Sequence, residues 1–269
     1  MRVDEQTIQL AGTLVFYRRA PAGDPPSLYL HGIPTSSDDW VSVLERRGGL
    51  APDLIGFGRS AKGGHLDYTV DGLAAQVALL LDHLQIECVA LVGHDWGAAV
   101  GVELARNAPE RVERLVLCNP LPLLPDLPWP RHAKLWRRPL VGELTMGATT
   151  KWILGRALRA ASADPTAWSP ARVDAVWRQF DQGTQRAILR LHRATDERYL
   201  AATANAIHTD VMQPTLIIWG DRDPWLPAAA AERYAQTLPR ARLRRLPGAG
   251  HWPWLDESGA IDDILAFLQ

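Results

Sequence analysis

The sequence GHDWG at residues 93–97 decides the fold, because it joins two segments of opposite character. Before it, Cys88–Val92 is a continuous apolar run, as in a strand buried on both faces of a sheet. After it, Gly97–Asn107 is rich in small residues and predicts a helix. A glycine-flanked turn from a buried strand into a helix has the form of the G-x-S-x-G nucleophile elbow, where neighbouring backbone crowds the turn.

Asp95 stands at the centre of this turn, where a serine is usual, and the chain has no other G-x-S-x-G sequence. A carboxylate that attacks a saturated carbon forms an ester that water can cleave, whereas attack on an acyl carbonyl would give an anhydride. Asp95 therefore predicts substrates with an electrophilic sp3 carbon and a leaving group, such as epoxides or alkyl halides. The alternative, that Asp95 only caps the helix, is disfavoured by the glycines and by the residues below.

A general base and an acid that orients it are predicted from two later motifs. His251 lies in GAGHW at 248–252, after the last predicted strand. The sequence WGDRD at 219–223 offers Asp221 and Asp223, and Asp223 is preferred because the acid usually falls three residues after the glycine in this arrangement. Asp223 would fix the tautomer of His251, and the chain order of nucleophile, acid and histidine is that of the α/β-hydrolases.

Two backbone N–H groups are expected to form an oxyanion hole for cleavage of the ester. One belongs to Trp96, directly after Asp95, and the other to Ile33 in HGIP at 31–34. The glycines of DLIGFGRS at 53–60 fit neither a dinucleotide-binding nor a phosphate-binding loop, so they predict a structural turn.

Short strand-like and helix-like stretches alternate before residue 120 and after residue 210, which predicts a mostly parallel sheet between helices. Residues 121–210 begin Pro-rich and continue with helix-like segments that hold five tryptophans and no clear strand. The predicted organisation is an α/β core domain at 1–120 and 211–269 with an inserted helical cap domain at 121–210. Predicted core elements are strands at 7–10, 14–18, 27–30, 50–55, 88–92, 112–118, 215–219 and 241–246 and helices at 38–47, 69–85, 97–107, 228–237 and 261–268.

The composition argues against several classes of function. Lys and Arg number 29 against 30 Asp and Glu, without the basic excess of a dedicated nucleic-acid binder. Two cysteines are too few for a disulfide scaffold, and the N-terminus lacks an apolar signal core. No apolar run approaches the ~18 residues of a membrane span. We therefore expect a cytoplasmic protein, monomer or homodimer, with no nucleic-acid or membrane partner.

Taken together, HGIP, DLIGFGRS, GHDWGA, WGDRD and GAGHW resemble the α/β-hydrolase superfamily in content and order. Asp95 at the elbow is similar to the branch that contains epoxide hydrolases and haloalkane dehalogenases. The resemblance covers nearly the whole chain except the cap. It implies an eight-stranded, mostly parallel sheet, an active site between cap and core, and catalysis without a metal or organic cofactor. The implied partners are water and a small apolar electrophile.

The motifs divide between the two families. GHDWGA, the GHW around His251 and the apolar Ile33 resemble epoxide hydrolases. HGIPTSSDDW and APDLIGFGRS resemble haloalkane dehalogenases, although many of those have a halide-binding Asn or Glu at the position of Ile33. Trp96 occurs in both families and would either line the pocket or donate its indole N–H to a halide. Fluoroacetate dehalogenases typically have Arg there, so small carboxylated substrates are disfavoured.

Epoxide hydrolases usually have two cap tyrosines that donate hydrogen bonds to the epoxide oxygen, because ring opening develops an alkoxide. Here the cap contains one tyrosine, Tyr199, and a structural aromatic is the alternative interpretation for it. His132, Trp136 or another donor would replace the second. The sequence favours an epoxide hydrolase that forms vicinal diols, with haloalkane dehalogenation as the alternative. A binding protein that keeps the fold without catalysis is the more distant one.

Overall fold

The computed structural model describes residues 1–121, 123–125 and 129–269, and its centre is an eight-stranded sheet. The strand order is β1-β2-β4-β3-β5-β6-β7-β8. The first two pairings, β1 with β2 and β2 with β4, are antiparallel, and all later ones are parallel. The strands are β1 (Asp4–Leu10), β2 (Thr13–Ala20), β3 (Ser27–Leu30), β4 (Gly49–Pro52), β5 (Val89–His94), β6 (Val112–Cys118), β7 (Thr215–Gly220) and β8 (Ala241–Leu246).

Helices flank the sheet and also fill the chain between β6 and β7. The flanking ones are α1 (Val41–Arg47), α2 (Val70–His83), α3 (Trp96–Asn107), α10 (Ala229–Thr237), α11 (Pro253–Asp256) and α12 (Gly259–Phe267). Those between β6 and β7 are α4 (Arg131–Trp136), α5 (Val141–Gly147), α6 (Lys151–Ala160), α7 (Pro170–Gln179), α8 (Gln182–Ala194) and α9 (Glu197–Asp210). The predicted architecture, a mostly parallel eight-stranded sheet with flanking helices, is confirmed.

The first strand begins at Asp4, three residues earlier than predicted, and two other predicted elements differ from the observed ones for local reasons. The helix expected at 38–47 divides into a 3-10 turn, Ser37–Trp40, and α1, because Trp40 has the non-helical angles φ −105° and ψ 1°. The strand expected at 50–55 ends at Pro52. The N–H of Asp53 still donates to Phe16 O on β2 at 2.9 Å, but that of Leu54 donates to the His31 ring at 3.0 Å, so the chain leaves the sheet at Leu54.

All described regular elements of the predicted cap stretch are helical, in agreement with the absence of a strand pattern there. Its Pro-rich start, LPLLPDLPWPR at 121–131, lies partly outside the described residues. Across the described ranges, no helix has the length and apolar character needed to cross a bilayer.

The sheet's geometry gathers the candidate residues at one edge. In parallel strands the carboxyl ends meet on the same side, where α/β proteins bind their ligands. Five of the strands here end just before a residue of interest. These residues are Ile33 after β3, Asp95 after β5, Asn119 after β6, Asp223 after β7 and His251 after β8.

Candidate active site

The turn that carries Asp95 is tight and strained. Asp95 has φ +50° and ψ −117°, a left-handed conformation that few non-glycine residues adopt. A Cβ on Gly93 would lie 2.5 Å from the Ala98 Cα, and one on Gly97 would lie 2.4 Å from the His31 carbonyl oxygen. Both glycines are therefore required by close approach of backbone, as the elbow motif predicts.

The Asp95 carboxylate is buried, with 6% of the residue exposed. The backbone N–H of Ile33 donates to its Oδ2 at 3.2 Å. Burial raises the pKa of Asp95 to about 6; the charge of His251 and the backbone N–H groups of Ile33 and Trp96 partly oppose that rise. The two N–H groups predicted as an oxyanion hole therefore both act on this carboxylate.

The peptide between Gly32 and Ile33 is held from its carbonyl side. Leu54 N–H donates to His31 Nε2 at 3.0 Å, which leaves Nδ1 as the protonated ring nitrogen and lets it donate to Gly32 O at 2.7 Å. The Thr35 hydroxyl lies 3.1 Å from the same oxygen. Because a peptide is planar, fixing the carbonyl of Gly32 also aims the N–H of Ile33 at Asp95.

Asp39 extends the hydrogen-bond network around the peptide between Gly32 and Ile33. Its Oδ2 lies 2.6 Å from the Thr35 hydroxyl, which also contacts Gly32 O. A hydroxyl has one proton, so both contacts are hydrogen bonds at once only when Asp39 itself is protonated and donates to Thr35. Burial raises the pKa of Asp39 to about 6, which keeps that proton available in mildly acidic solution.

His251 and Asp223 form a buried pair. His251 Nδ1 lies 2.6 Å from Asp223 Oδ2, and their side chains are 1% and 0% exposed. Burial alone would lower the pKa of His251, but the charge and hydrogen bond of Asp223, with a smaller effect of Asp95, raise it. His251 Nε2 is buried and has no hydrogen-bond partner among the described residues.

Asp223 is fixed by donors on both oxygens. Oδ1 accepts from the N–H groups of Trp225 at 2.8 Å and Leu226 at 3.1 Å, and Oδ2 accepts from Asn119 Nδ2 at 2.8 Å as well as from His251. Sequence reasoning missed Asn119. Its position directly after a buried strand was the available signal.

The other acid of WGDRD lies elsewhere. Asp221 pairs with Arg245 at 2.9 Å and has no contact with the histidine. The preference for Asp223 over Asp221 therefore agrees with the geometry.

Asp95 and His251 line one cavity of about 310 Å³, enclosed by the sheet edge and the helices between β6 and β7. Its walls are largely apolar, which suits a small hydrophobic ligand. Ile33, Trp96 and Trp136, three of the predicted site residues, also line it. Further lining residues include Leu121, Trp129, His132, Leu135, Thr145, Thr149, Ile153, His192 and Trp225.

His192 is a cavity residue that sequence reasoning missed. Its ring lies 4.9 Å from Trp96 and 5.2 Å from Trp136, measured between ring centroids. Its Nδ1 donates to Ile188 O at 2.8 Å, and burial lowers its pKa to about 3. His192 is therefore neutral near pH 7 with Nε2 as an acceptor. The sequence has eight histidines, and His192 lies within a helical pattern with no local feature that distinguishes it from the others.

His132 and Trp136 form a second aromatic group on the cavity wall. Their ring centroids are 4.7 Å apart, and His132 also lies 5.8 Å from Trp225, which packs 4.6 Å from His251. Burial and the nearby His251 lower the pKa of His132 to about 4, so its ring is neutral and offers one N–H donor.

Tyr199, predicted as a leaving-group donor, does not line the cavity. Its hydroxyl donates to Glu103 Oε2 at 3.3 Å, and burial together with that carboxylate raises the pKa of Tyr199. The cause is the rotation of α9, which turns Leu200, Thr203 and Ile207 inward and leaves Tyr199 beside α3. This corrects the expected contact: the described residues that line the cavity include no tyrosine.

An α/β fold with a carboxylate at the strand-to-helix elbow, beside an Asp–His pair at the same sheet edge, defines an α/β-hydrolase-type site. The family model for the alpha/beta hydrolase fold matches residues 25–258. The chain therefore belongs to the α/β-hydrolase fold family.

Relatives in this family have several activities in their names. A non-heme haloperoxidase of Rhodococcus erythropolis is 32% identical, with 96% of this chain and 97% of the relative covered. A haloalkane dehalogenase of Mesorhizobium japonicum is 28% identical, over 96% and 89%. Epoxide hydrolase 1 of Caenorhabditis elegans is 25% identical, over 99% and 70%.

Solved structures share the fold along the whole chain. Cfl2 from Burkholderia cenocepacia superposes with a TM-score of 0.89 at 23% identity, covering 99% of this chain and 96% of that one. The haloalkane dehalogenase DbeA-M1 loop variant from Bradyrhizobium elkanii has a TM-score of 0.83 at 25% identity, over 99% and 96%.

Proposed function

We propose that this protein is a hydrolase that cleaves a bond at a saturated carbon through a covalent ester on Asp95. The observation that carries the proposal is that Asp95 and His251 share one apolar cavity. Nε2 of His251 has no hydrogen-bond partner among the described residues, and Asp223 is bound to the other nitrogen of the ring. Residues 121–210 would act as the cap over a core of 1–120 and 211–269.

In the first step, Asp95 attacks the electrophilic carbon. Its Oδ2 accepts the Ile33 N–H, so we assign the attack to Oδ1. A carbon–oxygen bond forms, and the carbon–leaving-group bond breaks with its electron pair on the leaving group. In the second step, His251 takes a proton from water, and the hydroxide attacks the Asp95 carbonyl carbon. The N–H groups of Ile33 and Trp96 stabilise the oxyanion. Collapse releases the alcohol oxygen, which takes the proton from His251. Asp95 is left as the carboxylic acid and returns to the carboxylate by losing its remaining proton to solvent.

The leaving group decides between the two candidate activities. An epoxide oxygen leaves as an alkoxide and requires a proton donor, whereas a halide leaves as a stable anion that needs only N–H donors. Tyr199, the expected acidic donor, binds Glu103 instead, and His192 presents an acceptor. The neutral ring of His132 is the candidate that remains for an epoxide.

Alkyl halides are the substrate class that the cavity supports best. Four tryptophans line it, and an indole offers an N–H donor together with an apolar surface: Trp96, Trp129, Trp136 and Trp225. One feature argues against alkyl halides: Ile33 stands where many haloalkane dehalogenases have a halide-binding Asn or Glu. Epoxide hydrolysis, with His132 as the proton donor, is the second candidate. Both activities occur among the named relatives, one a haloalkane dehalogenase and the other an epoxide hydrolase.

Trapping the ester tests the proposal. His251→Gln removes the general base, so the ester on Asp95 should accumulate and appear in the intact-protein mass. The variant is exposed separately to butyl bromide and to styrene oxide. A gain of one butyl group, with bromide released, identifies a dehalogenase; a gain of the whole epoxide identifies an epoxide hydrolase.

The matched control is the double variant Asp95→Asn with His251→Gln, which should show neither adduct. Adducts that persist in this control would come from another nucleophile and would overturn the role of Asp95. If the single variant forms no adduct and the wild-type protein turns over neither compound, the proposal fails for both substrate classes. Ligand binding without turnover would then favour a non-catalytic binding protein.

A further inference from the structure

Exposed apolar side chains are concentrated in one segment of the chain, which also contributes residues to the cavity wall. Ten large apolar side chains are exposed in the described part of the chain, and six of them fall between residues 135 and 153. We call these six the apolar rim: Leu135, Leu140, Val141, Leu144, Trp152 and Ile153. Soluble proteins usually scatter such residues singly, so a cluster of this kind marks an interaction surface.

Two members of the apolar rim border the opening of the cavity. Leu135 and Ile153 line the cavity and are also 39% and 44% exposed, so they stand where it meets solvent. Leu144 and Trp152 are 73% and 70% exposed and directly adjoin the cavity-lining Thr145 and Ile153 in sequence. A ligand that enters by this opening passes between apolar side chains.

The same segment is strongly basic. Residues 131–159 hold seven Arg or Lys and one acid, in a chain whose formal charge is −1. The acid, Glu143, is paired with Arg193, and Lys151 is paired with Asp174. The exposed cations that make no ion pair with the described residues are Arg131, Lys134, Arg138 and Arg156; the last lies over the Trp152 ring at 5.7 Å.

We propose that the apolar rim and its cations bind the surface of an anionic lipid bilayer and open the cavity toward the lipid. Lysine and arginine near an anionic membrane are attracted to its headgroups, while Trp and Leu insert at the interface. A second copy of the chain fits this face poorly, because two net-positive faces repel each other. The sequence predicts no membrane partner on the ground that a spanning segment is lacking; peripheral binding requires none, and the proposal replaces that prediction.

Flotation with vesicles tests the proposal without any substrate, so its failure is separate from failure of the proposed function. The wild-type protein should float with phosphatidylcholine vesicles that contain phosphatidylglycerol, much less with pure phosphatidylcholine, and be released by high salt. Neutralising Lys134, Arg138 and Arg156 to Gln should weaken binding about fivefold for each cation, or about 100-fold in total.

A matched control removes the same charge elsewhere, with Arg2, Arg46 and Arg242 changed to Gln. It should bind nearly as the wild type does. An equal loss in both triple variants would show attraction to the overall charge and would overturn the proposal.

The apolar contribution is tested in the same way. Leu144→Ser with Trp152→Ser should weaken binding about tenfold, whereas Leu79→Ser with Met212→Ser, on other faces, should not. Light scattering adds a second measurement. A wild-type dimer that becomes monomeric when Leu144 and Trp152 are changed would make the apolar rim an interface between copies, and that result, or an absence of flotation, would refute lipid binding.

Discussion

Replacing the candidate nucleophile by Asn should make the protein more stable while abolishing turnover. Burial raises the pKa of Asp95 from 3.8 to about 6, a difference of about two pH units. At 1.36 kcal/mol per unit, keeping Asp95 ionised in the folded state costs about 3 kcal/mol. Asn carries no charge and adopts positive φ more readily than most residues, so Asp95→Asn removes that cost without adding backbone strain.

The sign of the pH dependence follows from linkage. The folded-state pKa lies above the unfolded one, so the cost is absent below about pH 4, grows between about pH 4 and 6, and is complete above it. Asp95→Asn should therefore match the wild type near about pH 4 and exceed its free energy of unfolding by about 3 kcal/mol near about pH 8.

Urea unfolding at both pH values measures this difference, with the slope on denaturant checked to be the same for both proteins. The exposed Glu87→Gln serves as a charge-matched control, and the intact mass verifies that Asn is retained. Turnover should fall by about 10⁴-fold or more. Equal or lower stability of Asp95→Asn at the higher pH, or a gain that does not depend on pH, would show that the buried charge of Asp95 does not destabilise the fold.

Three further substitutions test the parts around the nucleophile. Gly32→Ala would place a Cβ 2.8 Å from the Asp95 Cβ, so the peptide between Gly32 and Ile33 must move. Turnover should then fall about 100-fold, because the Ile33 N–H is displaced from the proposed oxyanion hole, and a variant with wild-type rates would contradict this. Thr35→Val should lower kcat about tenfold through the misaimed Ile33 N–H, while Thr35→Ser should retain it; equal rates for the two would mean that the hydroxyl is not needed. Asp223→Asn should slow ester cleavage about 10⁴-fold, make the covalent ester visible by mass, and move the acidic limb of the pH profile lower, because Asp223 raises the pKa of His251; an unmoved limb would assign it to another group.

The fold and the Asp95, His251 and Asp223 arrangement could be predicted because their signals are local. A glycine-flanked turn after a buried strand constrains the backbone within a few residues, and parallel strands then bring separate turns to one edge. The choice of Asp223 over Asp221 also rested on a local feature, the spacing of three residues after Gly220. In the structure Asp223 contacts His251, whereas Asp221 pairs with Arg245.

The leaving-group side of the site could not be predicted in this way. Tyr199 was chosen as the one tyrosine of the predicted cap, but its presence there does not say which side of α9 faces the cavity. The helix buries Leu200, Thr203 and Ile207, and this leaves Tyr199 beside Glu103 on α3. His192 was missed for the same reason, because packing between helices brings it among tryptophans that are distant in sequence.

The two buried aspartates of the site show how environment separates their roles. Asp223 accepts hydrogen bonds from Asn119, His251 and two backbone N–H groups, so both of its oxygens are engaged. Asp95 has Oδ2 held by Ile33 and borders the cavity, and burial raises its pKa. A carboxylate whose lone pairs are all engaged can orient a base but is a weak nucleophile, whereas a poorly solvated one with an oxygen facing the cavity is reactive. This contrast is the physical reason to assign the orienting role to Asp223 and covalent chemistry to Asp95, and it holds whichever leaving group the substrate carries.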